Sequence, residues 1–119
     1  MQAEDRIIHF SSEFIHRPVQ HKKDVLQKLY FDLTQTKANY DSTDFTNPVQ
    51  ARFYSRRGKK TQSVAAFLPD RVVLVEEWAD LPLSDYLEKV REVVPRVLEA
   101  RNVPQFIAHT ATIRSTFAL

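Results

Sequence analysis

The chain has 119 residues, of which 43% are hydrophobic and 27% charged, a balance typical of one folded domain with its own core rather than of a disordered segment. It has no cysteine, which excludes disulfides and thiolate metal sites and favours a reducing, cytoplasmic location, and its formal net charge of +2 does not by itself indicate a nucleic-acid partner. Its one glycine, Gly58, excludes phosphate-binding loops that need several glycines, and no apolar run is long enough to cross a membrane.

The N-terminal segment is predicted to form a strand that follows a short tail. We expect residues 1–5 to be disordered. Residues 6–16 then alternate as a half-buried strand does, with Phe10 and Phe14 on one side and polar residues on the other. Pro18 ends this strand, because proline has no N–H group to donate to a sheet.

The next segment changes from the period of a strand to that of a helix. Residues 19–34 carry apolar side chains at helical spacing, with lysines and other polar residues opposite them. The following stretch, 34–47, is rich in Thr, Asp, Ser and Asn and indicates a long loop that Tyr40 and Phe45 attach to the body. The apolar stripe of the helix consists of Val25, Leu26, Leu29, Tyr30 and Leu33.

The middle of the chain predicts three strands joined by tight turns. They span residues 49–56, 62–68 and 72–78, and in the first of them apolar and polar residues alternate. The first turn is the charged run at 56–60, Arg-Arg-Gly-Lys-Lys, whose glycine can adopt a positive φ. The second turn is centred on Pro69-Asp70.

The last part of the chain predicts a second helix and a final strand. Residues 82–101 carry an apolar stripe at helical spacing, and Pro82 suits the first turn of a helix. Pro95 lies on the polar side of this helix, where the bend that an internal proline imposes is easiest to accommodate. A strand then spans residues 105–117.

Together these elements predict an α+β fold in a single domain over residues 1–119. The order β-α-β-β-β-α-β resembles a ferredoxin-like α/β plait with an extra strand. Because each helix has one apolar stripe, we expect both helices on one face of an antiparallel sheet, which leaves the other face open. The expected core under the helices consists of Ile8, Phe10, Phe14, Phe53, Val64 and Leu74.

The open face of the sheet is the first place to expect a binding surface. The residues predicted to point there are polar and carry both signs of charge. A solvated sheet face would have the same composition, and a surface for a ligand, a protein partner or a second copy is the alternative. These residues are His9, Ser11, Glu13, Arg52, Tyr54, Arg56, Ser63, Thr110, Thr112 and Arg114.

The pattern contains no catalytic or metal-binding constellation. His9 and Glu13 are four residues apart on one strand, about 13 Å at the usual rise, so they can pair only with neighbouring strands. His16 and His21 lie near each other without a third ligand, so we predict no metal and no cofactor. The serines lack the glycine-flanked elbow of nucleophilic hydrolases, and a non-enzymatic role is therefore favoured.

The densest charge cluster is the predicted hairpin tip at 56–60. Four cations there could contact nucleic-acid phosphates, although the same charge suits a solvated hairpin end. The stacking aromatics of RNA-recognition domains have no counterpart around Gly58, so nucleic-acid binding is the weaker expectation. The cations are Arg56, Arg57, Lys59 and Lys60, which Arg52, Tyr54 and Arg114 on the sheet would extend.

A strand that ends in Glu76-Glu77-Trp78 and leads into a helix resembles the dimeric α+β-barrel family, which includes small cofactorless monooxygenases and decarboxylases. The resemblance implies a plait that dimerises through its sheets and encloses a small-molecule pocket. The chain departs from the family in its extra hairpin strand and in having no histidine in the helix after Trp78. The other interpretation of Trp78 is structural, as an aromatic that closes the core at a strand end.

The sequence therefore favours a non-enzymatic binding or assembly domain that uses its open sheet face and its basic hairpin. The expected occupant is a protein partner or a second copy of the chain, with no membrane contact. A dimeric small-molecule enzyme or ligand-binding barrel is the first alternative, and weak nucleic-acid binding is the second.

Overall fold

In the computed structural model, the chain forms a six-stranded antiparallel sheet with two helices. The structure describes residues 4–20, 22–36, 38, 40–57, 61–77 and 83–118, without the side chains of 4–8, 57, 61, 83 and 113–118. The strands lie side by side in the order β2-β3-β4-β5-β1-β6. In chain order the elements are β1 (Glu4–Ile15), α1 (Lys23–Leu33), β2 (Ser42–Asn47), β3 (Gln50–Arg57), β4 (Thr61–Leu68), β5 (Arg71–Glu77), α2 (Leu83–Ala100) and β6 (Ala108–Ala118).

The α+β class, the antiparallel sheet and the two helices are confirmed, but the predicted element order β-α-β-β-β-α-β is wrong by one strand. β2 lies inside the segment 34–47, whose composition predicts a loop. It is an edge strand that pairs only with β3, and its register is irregular between Asp44 and Asn47. β2 mixes the strand-forming residues Thr43, Phe45 and Thr46 with Ser, Asp and Asn, which also favour turns. Because an edge strand is open to water on one side, no clear alternation marks β2.

β1 connects the two parts of the sheet although it comes first in the chain. It pairs with β5 over His9–Ile15 and with β6 along nearly its whole length. Glu4 and Asp5, expected in a disordered tail, are the first residues of β1 and pair with the end of β6. β1 therefore joins the meander β2–β5 to the last strand.

The core lies between the helices and one face of the sheet. In α1 the predicted stripe is confirmed, since Leu26, Leu29 and Leu33 are buried, and α2 contributes Val93 and Val97 to the same cluster. Both helices therefore cover the same face. On the sheet side, the buried residues are Phe10, Phe14, Ala51, Phe53, Ala65, Phe67, Val72 and Leu74.

Aromatic rings position the helices over the sheet. Phe53 packs against Phe67 with ring centroids 4.6 Å apart, and Tyr30 of α1 meets Phe53 edge-on at 5.3 Å. Phe10 stacks on Tyr86 of α2 at 4.8 Å. Such pairs add directional contacts to the apolar burial that holds the layers together.

The face assignment of β4 is the second point where the sequence prediction is wrong. Val64, expected in the core, pairs with Tyr54 and Val75 and lies on the open face. Ser63, expected on the open face, lies instead under α2, where Lys89 contacts it. Because side chains alternate along a strand, assigning one residue to the wrong face also assigns its neighbour to the wrong face, so the two errors have one cause. The side chain of Ile8 lies outside the described residues.

The end of α2 determines where the chain turns towards β6. The helix ends at Ala100, and Asn102 takes a left-handed φ of 53°, which asparagine tolerates better than most residues. Pro95 is exposed, as its place on the polar side predicts. Within the described ranges, neither helix is both long enough and apolar enough to cross a membrane.

Leu29→Ala should lower the free energy of unfolding by about 2–5 kcal/mol, because it removes buried apolar surface and leaves a cavity. Phe31→Ala, in the same helix, is the matched control: Phe31 is 65% exposed, and its truncation should change that free energy by about 0.5 kcal/mol or less. Urea unfolding followed by circular dichroism measures both. Equal losses in the two variants would contradict the burial pattern of α1.

Candidate functional site

The open face, defined as the side chains of β3, β4, β5 and β1 that point away from the helices, has an apolar centre. Val64 pairs with Val75 and Ala66 pairs with Val73 across β4 and β5. The valines are half-buried and Ala66 is buried. The wholly polar face predicted from the sequence is therefore wrong at its centre. The reason is that β5 is apolar on both sides, which alternation alone does not separate.

Two predicted site residues on β1 form side-chain contacts across to β5. His9 Nδ1 lies 2.6 Å from Glu77 Oε1, and Glu13 accepts a hydrogen bond from Arg71. His9 and Glu13 do not contact each other, as their spacing requires. Arg71 also binds both carboxylate oxygens of Asp70 and thereby holds the pKa of Asp70 below its usual value. Arg71 thereby offsets part of the negative charge along one side of the apolar centre.

Three further predicted residues lie together on the other side of the apolar centre. Arg52, Tyr54 and Arg56 of β3 line a recess of about 210 Å³, together with side chains of β2 and β4. Arg52 donates to Asp44 at 2.8 Å, while the hydroxyl and backbone N–H of Thr46 also bind that carboxylate. These bonds, those from Thr46 foremost, hold the pKa of Asp44 well below its usual range.

The remaining predicted site residues are described only in part. Lys59 and Lys60 lie outside the described residues, as does the side chain of Arg57. Arg114 is paired with His9 in the β1–β6 register, and its side chain also lies outside them. Thr110 and Thr112 on β6 are exposed, as expected for an open face. The structure thus places His9 and Glu13 on one side of the apolar centre and Arg52, Tyr54 and Arg56 on the other.

A buried polar cluster under α2 is absent from the sequence prediction. Glu76 Oε1 accepts hydrogen bonds from Lys89 Nζ and from the Ser63 hydroxyl, each at 2.7 Å. Lys89 Nζ also lies 4.3 Å from the ring centroid of Tyr40. Burial, reinforced by the charge of Glu76, raises the pKa of Tyr40 well above its usual value. A paired, hydrogen-bonded ion of this kind fixes how α2 docks on the sheet.

A sequence signal for this cluster existed. Glu76 is an even number of residues away from Val72 and Leu74 on the same strand, so strand alternation places its carboxylate on the core side with them. A buried carboxylate requires a cation, and α2 crosses the same face. Next to it, the Tyr86 hydroxyl donates to Ser12 Oγ at 2.7 Å, and burial raises the pKa of Tyr86.

A pocket of about 340 Å³ opens at one end of the sheet, between the start of α1 and the end of α2. Arg101 forms part of its wall and is tied to His16, with Arg101 Nη1 3.0 Å from His16 Nε2. His16 Nδ1 lies 2.7 Å from the carbonyl oxygen of Arg17 and therefore donates to it. The neutral ring then offers Nε2 as the acceptor that the guanidinium needs.

The buried position of His16 disfavours its protonation. The side chain is almost wholly buried, and protonating Nε2 would place a second N–H group against the Arg101 guanidinium. Burial, with a smaller contribution from the charge of Arg101, lowers the pKa of His16, and the Arg17 carbonyl and Asp70 only partly offset this. His16 is thus held as the neutral tautomer.

Comparisons with known proteins add no assignment to this geometry. A scan against protein-family models and searches of curated proteins and of solved structures find no match. Among the described residues, no group of three or more His, Asp or Glu side chains is arranged to hold a metal ion.

The free energy of unfolding should fall as the pH drops below about 6.5, because the unfolded chain then takes up a proton on His16 that the folded chain does not. The loss continues until the pH reaches the lower pKa of the folded state. In His16→Gln, whose amide can still donate to the Arg17 carbonyl and accept from Arg101, this part of the pH dependence should disappear. Urea unfolding at pH 7.5 and pH 5 measures it in both proteins. The same pH dependence in both would contradict the neutral, buried His16.

Proposed function

We propose that this chain is a non-enzymatic binding and assembly domain that acts through its open face, and that the occupant of this face is a second copy of the chain. The observation that carries the proposal is the apolar centre, where Val64 pairs with Val75 and Ala66 with Val73. A sheet face left to water is usually polar, whereas the middle of a protein interface is apolar. An apolar centre with a charged surround is the arrangement of an interface.

The distribution of charge supports a second copy in one orientation. On one side of the apolar centre lie Arg56 and Arg52, the latter bound to Asp44. On the other side lie Glu77 and Glu13, the latter bound to Arg71. A twofold axis that runs parallel to the strands, between two facing sheets, would place β3 of one copy over β1 of the other. Arg52 and Arg56 of one copy would then face Glu13 and Glu77 of the other. Both sides carry partly paired charges, with Asp44 beside Arg52 and Arg71 beside Glu13, so these contacts would set the register of the two copies more than they would add affinity.

The charged groups on both sides remain accessible for such contacts. The side chain of Arg52 is 53% exposed, and those of Glu13 and Glu77 are 33% and 31% exposed, although each already has one partner. Bringing two rims of partly paired charges together costs little free energy, while burial of the apolar centre supplies most of the stabilisation of the dimer. Two sheets packed with nearly aligned strands follow the ordinary geometry of sheet-on-sheet packing.

The order of strands supports a ferredoxin-like plait as the finer description of the fold. β5, α2 and β6 form a β-α-β unit whose two strands are separated by β1, the split arrangement of that fold. β2 and β3 then extend the sheet beyond β4. Dimerisation through the sheet face is also what the resemblance of residues 76–78 to the dimeric α+β-barrel family implies.

A ligand-binding barrel is the second candidate, and one observation favours it. The recess lined by Arg52, Tyr54 and Arg56 opens on the open face, so a facing copy would close it into a cavity that can hold a small molecule. Binding through the basic hairpin at 56–60, and binding to a nucleic acid, stay predictions from charge alone.

Val75→Lys should convert a dimer into a folded monomer, weakening self-association by about a hundredfold, because it buries an unpaired ammonium in the apolar centre. Val49→Lys is the matched control, since Val49 is 58% exposed in the turn between β2 and β3. Sedimentation velocity at micromolar concentration, with circular dichroism to check folding, should find wild type and Val49→Lys dimeric and Val75→Lys monomeric.

A wild-type chain that stays monomeric at high micromolar concentration would contradict this proposal. So would a dimer that survives Val75→Lys, because its interface would then lie elsewhere on the molecule.

A further inference from the structure

The pocket at the end of the sheet is cationic. Its wall includes Arg17, Lys22 and Arg101, and no acidic side chain belongs to the described residues that line it. Arg17 and Lys22 are exposed, while Arg101 is 8% exposed. Arg17 donates to the carbonyl oxygen of Asn102 at 3.2 Å, at the wall of the pocket. Three cationic residues that line one concave surface of a chain with a net charge of only +2 form a local excess of positive charge.

Arg101 is a buried cation without a carboxylate of its own. Its Nη1 donates to the carbonyl oxygen of Leu68 and to His16 Nε2, and its Nη2 has no hydrogen-bond partner among the described residues. The guanidinium carbon lies 5.6 Å from the ring centroid of Phe67, a further favourable contact. Burial lowers the pKa of Arg101 to about 10.

The charge of Asp70 stabilises the Arg101 guanidinium but offsets only part of the cost of burying it. Asp70 lies in the turn between β4 and β5, but both of its carboxylate oxygens are bound by Arg71 at 3.0 Å. A buried guanidinium that binds only neutral partners is costly, and an anion in the adjoining pocket would reduce that cost.

The start of α1 adds a second source of positive potential to the same pocket. Lys22 occupies the N-cap position without a side-chain capping bond, and Lys22, Val25 and Leu26 line the pocket. The first-turn N–H groups of a helix have no partner within the helix and favour an anion. Asp24 also belongs to this turn, but it is not among the lining residues.

We propose that the pocket bounded by Arg17, Lys22 and Arg101 binds the phosphate group of a small phosphorylated molecule. The three cations and the N-terminus of α1 outweigh the negative carbonyl end of α2 at the opposite wall, and the net positive potential suits a dianion better than a carboxylate, which carries a single charge. The volume of about 340 Å³ lies within the range of small-molecule sites and leaves room beside a phosphate for part of an organic group. Pro18, Val19 and Val25 provide apolar wall for that part.

This site is independent of the open face. It lies between the two helix ends and the end of β1, whereas the proposed dimer contacts use β1, β3, β4 and β5 on the face away from the helices. An experiment can therefore contradict the proposed self-association without contradicting the proposed anion binding, and the reverse.

The test is a titration of the isotope-labelled chain with inorganic phosphate and, separately, with glycerol 3-phosphate, followed by amide and arginine side-chain chemical shifts. Sodium chloride at matched ionic strength is the reference. We expect saturable shifts centred on Lys22, Val25, Asn102 and the Arg101 guanidinium for both phosphates and not for chloride. Tighter binding of glycerol 3-phosphate would identify a phosphate monoester as the ligand, and equal binding would identify phosphate itself.

Two charge reversals distinguish the pocket from general attraction. Lys22→Glu should weaken phosphate binding about tenfold or more, because it replaces an attractive charge at the site by a repulsive one. Lys28→Glu changes the net charge by the same amount at an exposed position of α1 outside the pocket lining, and should change binding less than twofold. Both residues are exposed, so neither variant threatens the fold.

Equal weakening in the two variants would overturn the proposal, since binding would then follow net charge rather than the site. Shifts that do not saturate, or that chloride reproduces, would overturn it as well and leave Arg101 as a structural link between α2 and β4.

Discussion

The pairing of β1 with β5 is the constraint on which the rest of this structure depends. β1 is the first strand of the chain and β5 the fifth, yet they are neighbours from His9↔Glu77 to Ile15↔Arg71. Without this pairing, the meander β2–β5 and the last strand would be separate pieces, because β1 is the one described strand that pairs with β6. Since a shift of one residue would move every side chain to the other face, the register decides both the core and the open face.

On the helix side, that register places Phe10 opposite Glu76 and Phe14 opposite Val72. Phe10 then supports Tyr86 of α2, and Glu76 meets Lys89 of the same helix. On the open side, the same register brings His9 to Glu77 and Glu13 to Arg71. One set of backbone hydrogen bonds therefore determines how α2 docks and where the charged edge of the proposed interface lies.

Much of the fold could be predicted because its signals are local. The stripe of Leu26, Leu29 and Leu33 repeats at helical spacing, and Phe10 and Phe14 alternate as a half-buried strand requires. β2 could not be predicted, because Ser, Asp and Asn, which also favour turns, make up half of it, and its edge position makes alternation unnecessary. The wrong face assignments of Ser63 and Val64 have another cause. β4 carries small or apolar residues on both sides, so only the strands that pair with it decide which side faces the helices.

The candidate site was harder to predict than the fold, because its contacts join residues that are distant in the chain. His16 and Arg101 are 85 residues apart, and Glu76 and Lys89 meet only through the docking of α2. His9 and Glu13 were identifiable as open-face residues, but their partners depend on the β1–β5 register. The apolar centre required that register too, because Val73 and Val75 follow Val72 and Leu74 in one continuous apolar run.

The central claim is that the open face is covered by a second copy of the chain. An isotope-filtered nuclear Overhauser experiment on a mixture of methyl-labelled and unlabelled chains tests it most directly, because it detects only contacts between copies. We expect cross-peaks from the methyl groups of Val64 and Val75 in one copy to open-face protons in the other. Valine methyls that show no such cross-peaks, in a sample whose sedimentation gives the mass of one chain, would contradict the account.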